Sequence, residues 1–568
     1  MPRSTPGRHR LAVLVGVLAI VAGTQALLAP SVDAAVFVPI SGSGSTWSEN
    51  ALDQWRRNVA TNYGITVNYS PNGSTSGRND FRYGQVDFAV SEIPYGLTDG
   101  GTFDPPPTRK FGYMPIVAGG TSLMYNLKIG NNRVTNLRLS GETITKIFTQ
   151  RITNWSDPQI KADNPGLTLP AIKIVPVVYS NGAGTSAQFT AWMAGQYPAL
   201  WDDYCHRAGR KLTPCGFTSF YPLGNSDMVA KAQSQGVSGF VAQDSSAGAI
   251  TYVEYSYARN AGFPVAKMLN KANYYVEPTA GSVAVALLKA QIHPDLTQDL
   301  SQVYVDPDPR AYPLSSYSYM IIPKDTTANF DKPKGATLST FASYFLCEGQ
   351  QQADILGYSP LPVNLVQDGV DQINQIPVPD GYTRTLNRNN LSGCHNPTVA
   401  PDGGNLVAEN APRPAPCDLN GPTQCVTGTG GAKQSTPTSG GSGGAGATAG
   451  AAGGGSGGGS GGAAAGGAGG TDGTASGGAN GVSAAGTSPI AAASGTIDPD
   501  TGKVIGGSTS TSDSGASAVP VSVDIADNRR QMVLAGVAAV LLFGLILGPP
   551  LVASAMRSRA GSPDGPPP

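Results

Sequence analysis

The sequence predicts an α/β fold divided into two lobes with a ligand cleft between them. Three times in the first half of the chain, a run rich in β-branched residues stops at a small-residue turn and restarts with the character of a helix. Short strands alternate with helices in this manner from Ala35 to Pro397, the pattern of a mixed α/β architecture. That stretch is roughly 360 residues, more than a single core usually serves. Crossings between lobes are expected at Tyr113–Ala118 and again near Tyr312–Leu314. One lobe then takes residues 35–112 and 312–400 and the other takes 113–311, with ligand in the cleft, where α/β folds commonly bind.

The first transition is Val36-Phe37-Val38-Pro39-Ile40, then Ser41-Gly42-Ser43-Gly44-Ser45-Thr46. The second is Ile65-Thr66-Val67-Asn68-Tyr69, then Asn72-Gly73-Ser74-Thr75-Ser76-Gly77. The third is Ile172 to Tyr179, then Asn181-Gly182-Ala183-Gly184-Thr185-Ser186. Each turn can aim unpaired backbone N–H groups and hydroxyls at one point. The helix that follows adds partial positive charge, so each is a candidate anion seat. Thr46-Trp47-Ser48-Glu49 has capping-box spacing, with Thr46 as cap and Glu49 three residues on; Thr185 to Gln188 repeats it. Ser/Thr caps are common, so one turn alone says little. Three that converge would enclose a small oxyanion.

The chain ends carry different information. Arg3, Arg8 and Arg10 precede the apolar stretch Leu11 to Leu28, and small residues at Val32 and Ala34 place a signal-peptide cleavage before Ala35. An uncleaved anchor is the alternative, disfavoured by the break at Pro30. Residues 401–426 read as a cysteine-bearing extension. Residues 427–528 read as a disordered stalk, dominated as far as about Gly486 by Gly, Ala, Ser and Thr. About a hundred such residues reach on the order of 55 Å. Within them, Asp498-Pro499-Asp500-Thr501-Gly502 has the chemistry of a turn. From Gln531 to Met556 there is no charge, enough length to span a bilayer of about 30 Å, and a tail, 557–568, that would be cytoplasmic. The expectation is a single-pass surface protein whose globular part lies outside the cell.

Six cysteines, an even number in an exported chain, indicate disulfides. Cys205–Cys215 and Cys417–Cys425 are natural short pairs, leaving Cys347 and Cys394, although six cysteines allow fifteen connectivities. No Cys-x-x-Cys or clustered His spacing points to a metal, and no cofactor is called for. A net charge of −1 without Lys/Arg runs gives no nucleic-acid footprint. His206, His293 and His395 form no evident nucleophile–base arrangement, so an enzyme is not expected.

Several of these stretches resemble a known family. Gly42 to Trp47, Asn68-Tyr69 with Asn72-Gly73-Ser74, Val86-Asp87-Phe88-Ala89-Val90-Ser91-Glu92, and Asn181 to Ser186 look like the phosphate-binding proteins of phosphate ABC transporters. Tyr252-Val253-Glu254-Tyr255-Ser256-Tyr257, Pro264 to Ala266, Asn270 to Ala272 and Leu356 to Pro362 follow in the family's order. The resemblance covers about Val36 to Leu365. It implies a type II periplasmic-binding-protein fold whose lobes close on dehydrated phosphate, and a permease and ATPase as partners. By its motifs, Thr46 and Trp47 would supply the first loop's contacts, Ser74 the second, and Gly184 and Thr185 the third. Glu92 would accept a hydrogen bond from protonated phosphate, a bond that fully ionised sulfate cannot donate.

Three departures from the family stand out: Glu92 where it has Asp, Tyr179 where it has Arg, and Ala183 where it has Ser. The missing Arg would remove a bidentate, charge-assisted contact. Arg78, within a turn of Ser74, is a candidate to restore that cation from the opposite lobe, with a solvated surface Arg as the alternative. The leading expectation is an extracellular, membrane-tethered protein capturing phosphate or a related oxyanion for an ABC transporter. A surface sensor or adhesion protein with the same fold and no transport role is the alternative. Without a Cys before Cys205, a lipid on an N-terminal cysteine is excluded as the anchor.

Overall fold

The structure, a computed structural model, describes residues 37–436 except 225, 392 and 400–403, together with a short strand pair. That pair, Thr496–Ile497 and Val504–Ile505, is antiparallel; the turn expected at Asp498–Gly502 lies outside the described residues. The expected signal peptide, most of the stalk, the apolar span at 531–556 and the tail lie outside the described residues. Among the described residues no helix is long and apolar enough to cross a membrane.

The first lobe opens with β1 (Ile40–Gly44), α1 (Glu49–Tyr63), β2 (Val67–Ser70), α2 (Ser74–Arg82) and β3 (Phe88–Ser91). Helix α1 forms because Ala51, Leu52, Trp55 and Val59 recur at helical spacing and are all buried. It ends at Gly64, which takes φ +66° and returns its N–H to Ala60 O. Strand β4 (Phe111–Tyr125) is apolar almost throughout and buried from its second residue on.

The second lobe carries β5 (Val175–Tyr179), α3 (Gly184–Gln196), β6 (Val229–Lys231), α4 (Gln233–Val241), β7 (Ala249–Glu254), α5 (Tyr255–Asn260) and β8 (Val265–Leu269). Strand β9 (Ser315–Pro323) then returns to the first. The main path of the sheet runs β6-β5-β7-β4-β9-β3-β1-β2, and β8 pairs separately with β4. Within each lobe the outer strands are parallel: β1 with β2 and β3, and β5 with β6 and β7. Strand β4 joins the halves. It pairs antiparallel with β9 as far as Gly120 and with β7 from Thr121. Pro115, which has no N–H to give, lies opposite Tyr319, where the register shifts after Ser318.

Among the described residues two large cores result, one in each lobe, with a smaller cluster of Phe81, Ala89, Tyr95, Tyr113, Tyr319 and Ile321 in the first. The first gathers Ile40, Trp47, Trp55, Met114, Tyr317, Phe341 and Phe345, and the second gathers Leu123, Phe148, Phe189, Trp192, Trp201 and Tyr252. Val283–Leu287, Leu300, Val303 and Ala311 pack in the first core, so the chain leaves the second lobe before the return expected near Tyr312. The cysteines join as Cys205–Cys215, Cys347–Cys394 and Cys417–Cys425.

Ordered packing continues past the last disulfide into the stretch that composition assigns to the stalk. Thr429 and Thr436 are buried against Thr135, Asn136 and Val265. Polar matching holds this segment: a Thr or Asn is no less able than an apolar residue to fix a chain when its bonds are met. Arg138 anchors the segment before it. Its buried guanidinium donates to Asp163 O and Thr423 O, each at 2.8 Å, and lies over the Tyr275 ring. Arg138→Ala should therefore cost about 2–4 kcal/mol, because several buried carbonyls lose their donor at once. Urea unfolding reads this directly; a loss under about 0.5 kcal/mol, the range of ordinary surface substitutions, would contradict it.

Candidate functional site

Helices α1, α2, α3 and α4 begin where the two lobes meet, and none has a side-chain cap on its first turn. The capping boxes read from Thr46 and Thr185 do not form. Helix α1 starts at Glu49 after Ser48, two residues beyond Thr46, and Thr185 lies inside α3 after Ala183. Their hydroxyls instead reach across the site. Thr46 Oγ1 is 2.7 Å from Ser234 Oγ and accepts the Ser234 N–H at 3.2 Å, joining the lobes. Thr185 Oγ1 donates to Glu254 Oε1 at 2.5 Å.

A second chain of bonds runs through Glu92. Its Oε2 accepts from Ser74 Oγ at 2.7 Å and its Oε1 from Ser318 Oγ at 2.9 Å. Ser74 Oγ also accepts the Gly184 N–H at 3.0 Å, again between lobes. Ser318 Oγ lies 3.1 Å from Ser48 Oγ. Thr75 N–H to Gly182 O and Gln188 Nε2 to Glu92 O add two more crossings. The lobes are closed on each other along this seam. Gly184 is required by contact: a Cβ there would stand 1.9 Å from Glu92 Oε2 and 2.7 Å from Ser74 Oγ.

Thr46, Ser74, Glu92, Gly184 and Thr185 are thus brought together. Trp47 is buried beside them, with its N–H bonded to Ser45 Oγ and its O accepting from Tyr358 Oη; its indole Nε1 makes no hydrogen bond. Arg78 is placed differently from the expectation. It is 1% exposed, but Nε donates to Asp104 Oδ2 at 2.6 Å and Nη1 to Ser91 Oγ at 3.0 Å. The guanidinium is held under the end of β3, where it fixes the strand that presents Glu92, and its hydrogen bonds go to that support.

Tyr179 takes the position of the missing Arg, with Oη 3.0 Å from Ser234 Oγ. Burial, and then the neighbouring Glu254, raise its phenol well above the usual range, so it serves as a neutral hydroxyl. The seats lack a directly bonded cation. What the seats present instead are hydroxyls and helix N-termini, which carry partial positive charge.

Three participants escape the sequence reading: Ser234, Ser318 and Glu254 as a site residue. Ser234 sits within a strand-to-helix transition, Val229 to Gln235, that lacks the Gly-rich signature of the other seats. Ser318 is one of several serines alternating on β9. Glu254 sits in a quoted motif, yet its role depends on what folds over it. Among the described residues no group of His, Cys, Asp or Glu is placed to hold a metal ion.

The two carboxyls differ in support. Burial raises both. Glu92 is drawn back by the hydroxyls of Ser45, Ser74 and Ser318. Glu254, held down by the Thr185 hydroxyl and pushed further by Glu92, reaches about 7. In the unfolded chain it would titrate near 4.5. Between those values the folded state holds the extra proton, so stability falls as pH rises through that window and levels off above about 7. The difference amounts to about 3 kcal/mol. Glu254→Gln should remove it: urea unfolding of the variant relative to the parent should improve from pH 5 to pH 8. An equal pH trend in both proteins would exclude a buried, titrating Glu254.

Comparison with known proteins gives the family. The PBP superfamily domain matches residues 22–348, more than half the chain. The phosphate-binding protein PstS of Xylella fastidiosa is 30% identical over 342 residues, 60% of this chain and 85% of that protein. Phosphate-binding protein PstS 2 of Mycobacterium tuberculosis is 30% identical over 336 residues, 57% of this chain and 83% of the relative. Among solved structures, the periplasmic phosphate-binding protein PfluDING with bound phosphate is 19% identical, covering 60% of this chain and all of that one at a TM-score of 0.44. An ancestral soluble variant of the human phosphate binding protein is 18% identical, covering 63% and 98% at a TM-score of 0.46. The family match and the PstS relatives place this chain in the PBP superfamily, as a member of the family of PstS phosphate-binding proteins.

Proposed function

We propose that the protein is an extracellular solute-binding protein that captures inorganic phosphate, or a closely related oxyanion, and delivers it to an ABC permease driven by its ATPase. The observation that carries this reading is Glu92. It is a fully buried carboxylate set among hydroxyl donors and helix N-termini from both lobes. A bare carboxylate would repel any anion. Its presence makes sense for an anion that brings its own proton, because the bond then replaces repulsion. Thr46, Ser74, Gly184 and Thr185 line the surrounding cradle, with Ser234 and Tyr179 standing where the family has the absent Arg. Arg78 acts from behind, through Ser91 and Asp104. Binding and release, without chemistry on the ligand, is the function that fits, and the relatives are named as binding proteins.

The membrane tether is part of the proposal. The basic and apolar N-terminus, the Gly/Ser/Ala-rich segment and the uncharged stretch from Gln531 to Met556 support export followed by C-terminal anchoring. The length of the stalk favours a second reading, a surface receptor that reports occupancy without handing ligand on. Calorimetric titration of the full chain with phosphate, arsenate and sulfate tests capture: phosphate and arsenate should bind and sulfate should bind at least tenfold more weakly. Absence of phosphate binding overturns the reading. Phosphate uptake in cells lacking the protein separates delivery from sensing.

A further inference from the structure

Among the polar atoms that the cradle's own residues leave unmatched, one is a carboxyl oxygen. Glu254 is 1% exposed; Oε1 accepts the Thr185 hydroxyl, while Oε2 is buried without a hydrogen-bond partner. A carboxyl oxygen in that position is costly unless something meets it. Glu254 ends β7 and stands directly behind the third seat, through Thr185, the neighbour of Gly184. The Ser234 hydroxyl lies close, engaged with Thr46 and Tyr179.

The ionisable groups that act on Glu254 or feel it are acids: Glu92 from β3, Tyr179 from β5, Tyr257 from α5 and Tyr358 from the returning segment of the first lobe. Glu92 has both oxygens bonded by hydroxyl donors and is supported as a carboxylate. Glu254 has one such donor and one open oxygen. When two carboxyls share a site and differ in this way, their protonation states are pushed apart.

Resting on the reading that phosphate is the ligand, we infer that Glu254 is a second specificity residue, whose open oxygen Oε2 shares a proton with the bound anion. In the complex one P–OH donates to the Glu92 carboxylate. A further proton lies between Glu254 Oε2 and a phosphate oxygen. It is carried either by the carboxyl group or by the anion, and the two descriptions hold the same atoms and charge. A site with Glu92 alone would take the dibasic anion with one proton. This site holds one more, taken from solvent when the pH is high, and the extra proton offsets the absence of a cation among the seats.

Proton bookkeeping gives the test. Above pH 8, where free phosphate is dibasic and Glu254 in the empty protein is ionised, binding should take up about one proton per phosphate. The dissociation constant should then rise about tenfold per pH unit. Calorimetric titration of the full chain in two buffers of different ionisation heat counts the proton on the unmodified protein. Glu254→Gln should abolish the uptake and leave affinity level above pH 8, while the limb below pH 7, set by phosphate itself, stays. No proton uptake by the unmodified protein, or an equal slope in the variant, overturns the inference and leaves phosphate capture standing. Failure of the unmodified protein to bind phosphate at any pH would remove both.

Discussion

Alanine at Gly184 should weaken phosphate binding tenfold to a hundredfold while leaving the protein as stable as before, or slightly more so. The two effects part company because of where the clash falls. The new Cβ would meet Glu92 Oε2 at 1.9 Å and Ser74 Oγ at 2.7 Å, and both belong to the other lobe. Neither neighbour is the free end of a flexible side chain, because each is tied into the Glu92 bond chain. Overpacking of this sort costs about 1–3 kcal/mol, and each 1.4 kcal/mol is about tenfold in affinity. The protein can escape the clash by opening the seam, so the cost falls on closure. Folding of the second lobe gains instead, since Ala in a helix is favoured over Gly by about 0.5–1 kcal/mol. Thermal unfolding and phosphate titration on the same preparation separate the terms. Affinity within twofold of the parent would mean that the closed seam is not the arrangement that holds ligand.

The same seam shows what the sequence could and could not reveal. The three strand–turn–helix transitions are legible because their cause is local: β-branched runs, then small residues, then helix formers. Their convergence is visible only by family resemblance, since no spacing within one segment encodes a contact between Thr46 and Ser234. The capping boxes were misread for a related reason. The residue spacing is right, but each Thr hydroxyl is offered a tertiary partner, Ser234 on the opposite lobe for Thr46 and Glu254 on the neighbouring strand for Thr185, and the helices start elsewhere. Arg78 illustrates the limit for charge. A buried guanidinium goes where it can be matched, and Asp104, far along the chain, decides that. Likewise the ordered stretch through Thr436 is held by hydrogen bonds to Thr135 and Asn136, which a compositional reading of Gly, Ser and Thr cannot anticipate.

Glu92→Gln should lower phosphate affinity tenfold to a hundredfold and raise sulfate affinity, shrinking discrimination between the two by a hundredfold or more. The bond directions at the site make the argument definite. The Gly184 N–H can only donate, so it takes a lone pair of Ser74 Oγ and commits the Ser74 proton to Glu92 Oε2. Glutamine must therefore turn its carbonyl oxygen to Ser74 and its NH₂ toward Ser318. Ser318 can accept by swinging its own proton to Ser48 Oγ, 3.1 Å away, so the substitution leaves the internal bonds met and the lobes foldable. What changes is the face shown to the ligand. A protonated anion loses a charge-assisted acceptor, about 1.5–3 kcal/mol for a hydrogen bond to a charged group. An anion without a proton loses a like charge and meets an N–H. Parallel calorimetric titrations with phosphate and sulfate at one pH measure both halves. If selectivity survives in the variant, discrimination cannot rest on Glu92, and the remaining carboxyl in contact with the seats, Glu254, must carry it.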